Sequence, residues 1–330
     1  MRVVITGGAG FIGQKLEAAL LKRGELTALS GAPEAIDKLV LFDHVAAAGP
    51  DDPRVERITG DITDAAAVKA AIGDAASIFH LAAVVSAAAE EDFDLGVGVN
   101  LDGTRNVLDA ARALPHAPRL LFASSIAVYG GAEIPATVED DTPLTPQTSY
   151  GAAKSMGEFL VSDMSRKGFI DGRSLRLPTI CVRPGKPNKA ASTWVSSMIR
   201  EPLSGIDAVC PVSPDSAMAC LSPRRIVDIF IRAHELPAAE LGDWRSVLLN
   251  GITVTAGQIA EAVERRGNEH KLGRIVWEPD PGIQKIVDGW PKGSRSAKAT
   301  ALGFLADESI DEIIDAFVED DLAAQIASLD

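Results

Sequence analysis

The sequence predicts an α/β fold, a doubly wound, mainly parallel sheet with a smaller mixed α/β lobe towards the C-terminus. Three observations predict it. Short apolar runs alternate with helical periodicity through the first half. A glycine-rich turn joins the first such run to the first helical pattern. Beyond Pro178 the alternation decays into a stretch rich in Pro, Ser and Lys.

The elements follow in order. Val3–Thr6 reads as the first strand, and the next helix sets Ile12, Leu16, Ala19 and Leu20 on one face before Gly24 ends it. Residues 25–37 read as an inserted loop. Further strands are expected at Leu39–Phe42, Arg57–Ile58, Ser77–Leu81, Arg119–Ala123 and Asp171–Leu177, with helices at Asn100–Ala113 and Ser149–Ser165. Residues 179–222 show few long periodic runs. Pro223–Glu235 gives a helix, Ser246–Leu249 a short strand and Thr255–Arg266 an amphipathic helix weakened by Gly257. From Ser309 to Ile326 an acidic helical pattern (Asp311, Glu312, Asp315, Glu319, Asp320, Asp321) reads as a solvated face. This organisation predicts a nucleotide-binding domain over 1–178, with 221–250 returning to it, and a substrate-binding lobe from 179–220 and 251–330.

Composition excludes several function classes. The 330 residues are 46% hydrophobic and 24% charged, ordinary for a globular chain. A formal charge of −14 argues against nucleic acid or an anionic membrane as partner. No apolar run reaches the ~20 residues of a membrane helix, and the first strand leaves no room for a signal peptide ahead of it. Cys181, Cys210 and Cys220 are too scattered for a disulfide framework or a metal site, so they read as buried reduced thiols of a cytoplasmic protein.

Gly7-x-x-Gly10-x-x-Gly13 follows a strand and opens a helix, with Phe11 and Ile12 inside the turn. Gly7 permits the tight turn, Gly10 lets the backbone approach a pyrophosphate, and Gly13 permits close helix–strand packing. Asp43 ends the second strand, where a carboxylate accepts both ribose hydroxyls of NAD and repels the 2′-phosphate of NADP; no Arg follows it. NAD is the expected cofactor. Asp61 and Ile62, after the third strand, are candidates for the adenine, although Asp61 can equally form a turn.

Tyr150 and Lys154 stand four residues apart, on one face of a helix. A phenol with its ordinary pKa of about 10 is a poor base at neutral pH, and a nearby cation would lower it for proton exchange with a substrate hydroxyl. Ser124 and Ser125 emerge at the carboxyl end of a buried strand, where ligands sit in open α/β folds. The chain has only two tyrosines, Tyr129 and Tyr150, and both fall in these motifs.

These motifs, together with His80-Leu81-Ala82-Ala83 after the fourth strand, Asn100 opening a helix and Ser124-Ser125-x-x-Val128-Tyr129-Gly130, resemble the extended short-chain dehydrogenase/reductases. This is the NAD-dependent epimerase/dehydratase family, built on a Rossmann-like domain, and the similarity spans essentially the whole chain. The resemblance implies that the catalytic serine precedes the tyrosine by 25 positions, which selects Ser125 over Ser124. It implies Tyr150 as general acid or base and Lys154 as the holder of the nicotinamide ribose. Leu81, Ala82, Ala83 and Asn100 would line the nicotinamide half, with Pro178 near the ring. A homodimer through helices 100–113 and 149–165 is expected on the same ground.

Two departures narrow the branch. The dehydratases of the family carry an Asp-Glu pair where this chain has Ile126-Ala127, so elimination chemistry is not expected. The epimerases commonly carry an Asn where this chain has Thr179. The stretch from Arg176 to Ser192, Trp290-Pro291 and Leu302-Gly303-Phe304 are similar to the D-erythronate dehydrogenase group. Arg183, Lys186 and Lys189 would gather positive charge for a small carboxylate against the acidic global field. Ser125, Thr179, Arg183, Asn188, Lys189 and Ser192 are the candidate substrate contacts, with Arg224-Arg225 as a second clamp. The expected reaction is NAD-dependent oxidation of the C2 hydroxyl of a sugar acid to a 2-oxo acid.

Two alternatives stand beside it. One is a nucleotide-sugar epimerase with tightly held NAD, although 205–225 offers no aromatic to stack a nucleobase. The other is a non-catalytic NAD sensor, against which Ser125, Tyr150 and Lys154 speak.

Overall fold

The computed structural model describes residues 1–187, 190–267 and 271–329. Seven parallel strands form its central sheet, in the spatial order Ser246–Leu248, Asp171–Leu177, Arg119–Ser125, Ser77–His80, Arg2–Thr6, Lys38–Asp43 and Val55–Thr59. The chain winds outward from Arg2–Thr6 to Val55–Thr59, then returns to pair Ser77–His80 on the other side of the first strand. The carboxyl ends of these two neighbours therefore part around a crevice. Central strands such as Arg2–Thr6 and Ser77–His80 are almost wholly buried, which is why they read as continuous apolar runs rather than alternating ones.

Helices cover both faces. Leu16 and Leu20 of Phe11–Arg23 share one core with Ile226 and Phe230 of Pro223–Glu235. Val68, Val107, Leu108 and Val161, from Ala65–Ile72, Gly103–Arg112 and Ser149–Arg166, pack on the opposite face. A further core gathers Trp194, Met198, Ile259, Val263, Ile313 and Phe317 from the second half of the chain.

Four expectations need correction. Residues 25–37 are not a plain loop: Glu25–Thr27 and Pro33–Ala35 form an antiparallel hairpin, pinned to the core by fully buried Leu26. The 179–222 stretch holds the helix Thr193–Leu203 and two strands, Thr179–Ile180 and Ala217–Leu221, of a three-stranded sheet completed by Ile252–Thr255. That helix is buried on all sides from Trp194 to Arg200, so it lacks the polar face that periodicity detects.

The acidic C-terminal helices are the third correction. They are not simply solvated, because Asp321 pairs with Lys15 at 2.8 Å, Asp311 with Arg265 at 2.7 Å and Asp315 with Arg266 at 2.6 Å. The fourth correction follows from this one. Arg224 pairs with Glu319 and Asp320, at 2.9 and 2.7 Å, and Arg225 with Glu312 at 2.7 Å. They are committed to the tail and form no substrate clamp. The three cysteines are buried and free. Among the described residues no helix is long and apolar enough to cross a membrane.

Candidate active site

The glycine turn is built by close approach. Gly7 has φ +73°, and a Cβ there would lie 2.7 Å from the Ala82 nitrogen; one on Gly13 would lie 2.4 Å from the Gly7 carbonyl oxygen. Gly10 caps the Phe11–Arg23 helix without a side-chain bond, and no acidic residue stands in its first turn. The free N–H groups at this end suit a phosphate. Asp43 reaches the same turn: its Oδ2 accepts the Ala9 N–H at 3.0 Å and its Oδ1 the Val45 N–H at 3.3 Å.

Asp61 behaves as a turn former. Its Oδ1 accepts the Thr63 N–H at 2.8 Å, and this bond holds the carboxyl below its ordinary pKa. The Ile62 side chain is buried against Gly103.

The segment after Ser77–His80 is held at both ends. Leu81 N–H donates to the Thr6 carbonyl at 3.0 Å; Asn100, itself buried, accepts the Val84 N–H at 2.8 Å and donates to the Val84 carbonyl at 3.0 Å. Behind it lies a chain whose proton order is fixed by elimination. The Thr104 hydroxyl spends its proton on the Asn100 carbonyl, 2.7 Å away. His80 Nε2 must then donate to Thr104 Oγ1 at 2.9 Å, which leaves Nδ1 to accept from Thr6 Oγ1 at 2.7 Å. Burial pushes His80 down to about 3, so it stays neutral and serves as scaffold. The motif contained His80; the roles of Thr6 and Thr104 were missed.

Strand alternation sends Ser124 and Ser125 to opposite sides. Ser124 Oγ donates to Glu158 at 2.5 Å, inside the protein. Ser125 Oγ accepts the Ala127 N–H at 3.1 Å and lies within hydrogen-bonding reach of the Tyr150 phenol. Thr148 caps the Ser149–Arg166 helix through the Gly151 N–H at 3.0 Å, fixing where Tyr150 starts.

Lys154, one turn on, is 2% exposed and donates to the Ala123 carbonyl at 2.7 Å. Its Nζ sits 5.5 Å from the Tyr150 ring centroid and 4.7 Å from that of Phe122. Ser125, Tyr150 and Lys154 thus meet at the carboxyl end of the Arg119–Ser125 strand.

Electrostatics depart from the expectation for the phenol. Burial lowers Lys154 to about 7, with buried Glu158 partly opposing. Burial also raises Tyr150 above its ordinary value, with Ser125 partly opposing. The protein's own groups therefore do not lower the phenol.

A network beneath explains where Glu158 comes from. It takes Arg176 through Nη2 at 2.7 Å and Nε at 3.0 Å, and Arg176 Nη1 donates to the Tyr129 hydroxyl at 2.7 Å. Glu158 and Arg176 were missed, although Glu158 stands four residues beyond Lys154, on the same helix face.

Of the expected substrate residues, Thr179 is half-buried in a strand paired to Cys220, beside buried Pro178, which packs against Gly251. Half-buried Ser192 stands at the N-cap of Thr193–Leu203, where its side chain makes no cap bond. Lys186 is exposed. Arg183 places its guanidinium 5.9 Å from the Phe11 ring centroid, over the glycine turn. Asn188 and Lys189 lie outside the described residues.

Residues 3–218 match the NAD dependent epimerase/dehydratase family. The chain belongs to that family. D-erythronate dehydrogenase from Cupriavidus necator is 52% identical over 321 residues, covering 97% of this chain and 98% of that one. Its counterpart in Haemophilus influenzae is 44% identical over 324 residues, covering 98% and 100%. The crystal structure of the nucleoside-diphosphate-sugar epimerase from Agrobacterium tumefaciens superposes with a TM-score of 0.90 at 39% identity, covering 99% of this chain and 96% of that one.

As a member of the epimerase/dehydratase family the chain is an NAD-dependent oxidoreductase with a Rossmann-type sheet. The cradle fits the cofactor: a turn that tolerates no Cβ at Gly7 or Gly13, free N–H groups beyond it and a carboxylate at its rim.

One glycine of the site has no slack. A Cβ on Gly151 would stand 2.1 Å from the Ala127 carbonyl oxygen, a backbone atom. Gly151→Ala is expected to push the helix off the strand end, with a stability loss of about 1–3 kcal/mol. Moving Tyr150 by about 1 Å would cost roughly a hundredfold in kcat/KM. Melting temperature and initial rates check this, and wild-type values for both would refute it.

Proposed function

We propose that this enzyme oxidises the C2 hydroxyl of a small sugar acid such as D-erythronate to the 2-oxo acid. The 52% identity to a D-erythronate dehydrogenase along nearly the whole chain carries the reading. The site supports it chemically. Ser125 donates a hydrogen bond to the C2 oxygen while Tyr150 takes its proton, the two groups lying within reach of each other. Lys154 holds positive charge beneath the phenol, fixed by the Ala123 carbonyl. NAD supplies a hydride acceptor for the C2 hydrogen and a positively charged ring that stabilises phenolate beside it.

Thr179 and Ser192 are the polar groups offered to the sugar acid. Asp43 is the group that favours NAD over NADP. In this reading residues 1–178 and 221–250 serve the dinucleotide and the remaining segments the substrate.

A second reading, epimerisation of a nucleotide sugar, is favoured by the name of the Agrobacterium structure. The purified protein incubated with D-erythronate and NAD decides between them. NADH should accumulate stoichiometrically with a 2-oxo acid, and NADP should support at least about a hundredfold lower kcat/KM. No NADH from any four- to six-carbon sugar acid, together with turnover of a nucleotide sugar, would reverse the assignment.

A further inference from the structure

We infer that Arg183 is a clamp for the pyrophosphate of the cofactor rather than a ligand of the substrate carboxylate. The inference rests on the chain's use of NAD, but not on the identity of the sugar acid.

Beyond the Asp171–Leu177 strand the chain pairs Thr179–Ile180 with Cys220–Leu221, and three residues later Arg183 brings its side chain to the glycine turn. There its guanidinium stacks on Phe11, the first residue of the helix whose N-terminus faces the phosphates. Its position is set by the backbone. Arg183 N–H donates to Ser196 Oγ at 3.0 Å, its carbonyl accepts Arg200 Nη1 at 2.6 Å, and two residues on Gly185 N–H donates to Gln325 at 2.6 Å. The side chain is therefore aimed, not trailing in solvent.

The charge is also unbalanced. Arg183 is half-buried, and among the described residues no carboxylate or hydrogen-bond acceptor meets its guanidinium. Its charged neighbour is a cation, Arg200, itself paired with Glu201 at 2.5 Å. Burial and Arg200 together hold the guanidinium below its ordinary pKa. In a chain of charge −14, a partly desolvated guanidinium with no acid beside it among the described residues calls for an anionic ligand.

Distance selects which anion. Ser125 and Tyr150 react at the end of Arg119–Ser125, two strand intervals from Arg2–Thr6 and its glycine turn. At ~4.8 Å per interval this is about 10 Å. A carboxylate bonded directly to C2 cannot span that gap while the C2 oxygen touches Tyr150. A pyrophosphate at the helix N-terminus lies within the reach of an arginine stacked on Phe11.

Arg183→Met keeps the apolar stem on Phe11 and removes the charge, and Arg183→Lys keeps the charge without the fork. Fluorescence titration with NADH, and displacement by ADP-ribose, read the cofactor site without any substrate. Arg183→Met should raise both Kd values between about tenfold and a hundredfold and flatten the salt dependence of NADH binding. Arg183→Lys should recover part of the loss. With NAD saturating, KM for D-erythronate should stay within about twofold.

Unchanged NADH and ADP-ribose affinities in a normally folded Arg183→Met would overturn the inference, whether or not the sugar-acid KM rises. Should D-erythronate prove not to be the substrate, the binding measurements still decide the role of Arg183.

Discussion

Tyr150→Phe is expected to lower kcat by about a thousandfold, within the 10²–10⁴ range of positioned proton transfer, while NADH affinity changes little. The phenol oxygen is the atom removed, and it lies beside Ser125 Oγ at the end of the Arg119–Ser125 strand. The ring's packing over Lys154 is kept. Burial raises the phenol above its ordinary value, and bound NAD would supply an opposing positive charge beside it. Since Tyr150 acts as the base, the rising acidic limb of kcat/KM for NAD, which reports the free enzyme, should accordingly lie at higher pH than that of kcat, which reports the loaded one. A variant retaining a tenth or more of wild-type kcat would remove Tyr150 from the chemistry.

Lys154→Met is expected to act in opposite directions on activity and stability. Activity should fall by at least about a hundredfold, because the cation beneath Tyr150 is lost. The cofactor-free protein should nevertheless melt a few degrees higher near pH 7. Burial lowers the folded ammonium from 10.5 to about 7, so the folded state binds fewer protons than the unfolded one between these values. By linkage, the lysine's penalty is largest below about pH 7 and fades as pH rises towards 10.5. The stability of wild type should therefore climb relative to the variant across that window. Some gain is offset by the Ala123 carbonyl that loses its donor. Calorimetry of both proteins at pH 6.5 and 9.5 checks the sign, and a destabilised variant at the lower pH would contradict it.

The parts of the site legible in the sequence are those whose partners are close along the chain. Gly7, Gly10 and Gly13 mark one turn, Tyr150 and Lys154 one helix face, and Ser125 one strand end. The supports were not legible, because they join distant segments through single atoms. Ser124, Glu158, Arg176 and Tyr129 meet from two strands, a helix and a connecting segment, and the order of protons along Thr6, His80 and Thr104 needs the geometry. Arg224 and Arg225 looked available because the acids that occupy them stand about ninety residues further on. The helix Thr193–Leu203 was hidden by being buried all round. The orientation of Arg183 depends on that helix, so it was hidden with it.

The same grip has a consequence for diversification of the enzyme. The segment that carries Arg183 hangs by its main chain from a helix buried from Trp194 to Arg200, so its length is tied to interior packing. Under the proposed function, tailoring towards longer or differently branched acids is best sought by exchanging side groups at Thr179 and Ser192. Insertions or deletions there would drag the interior with them.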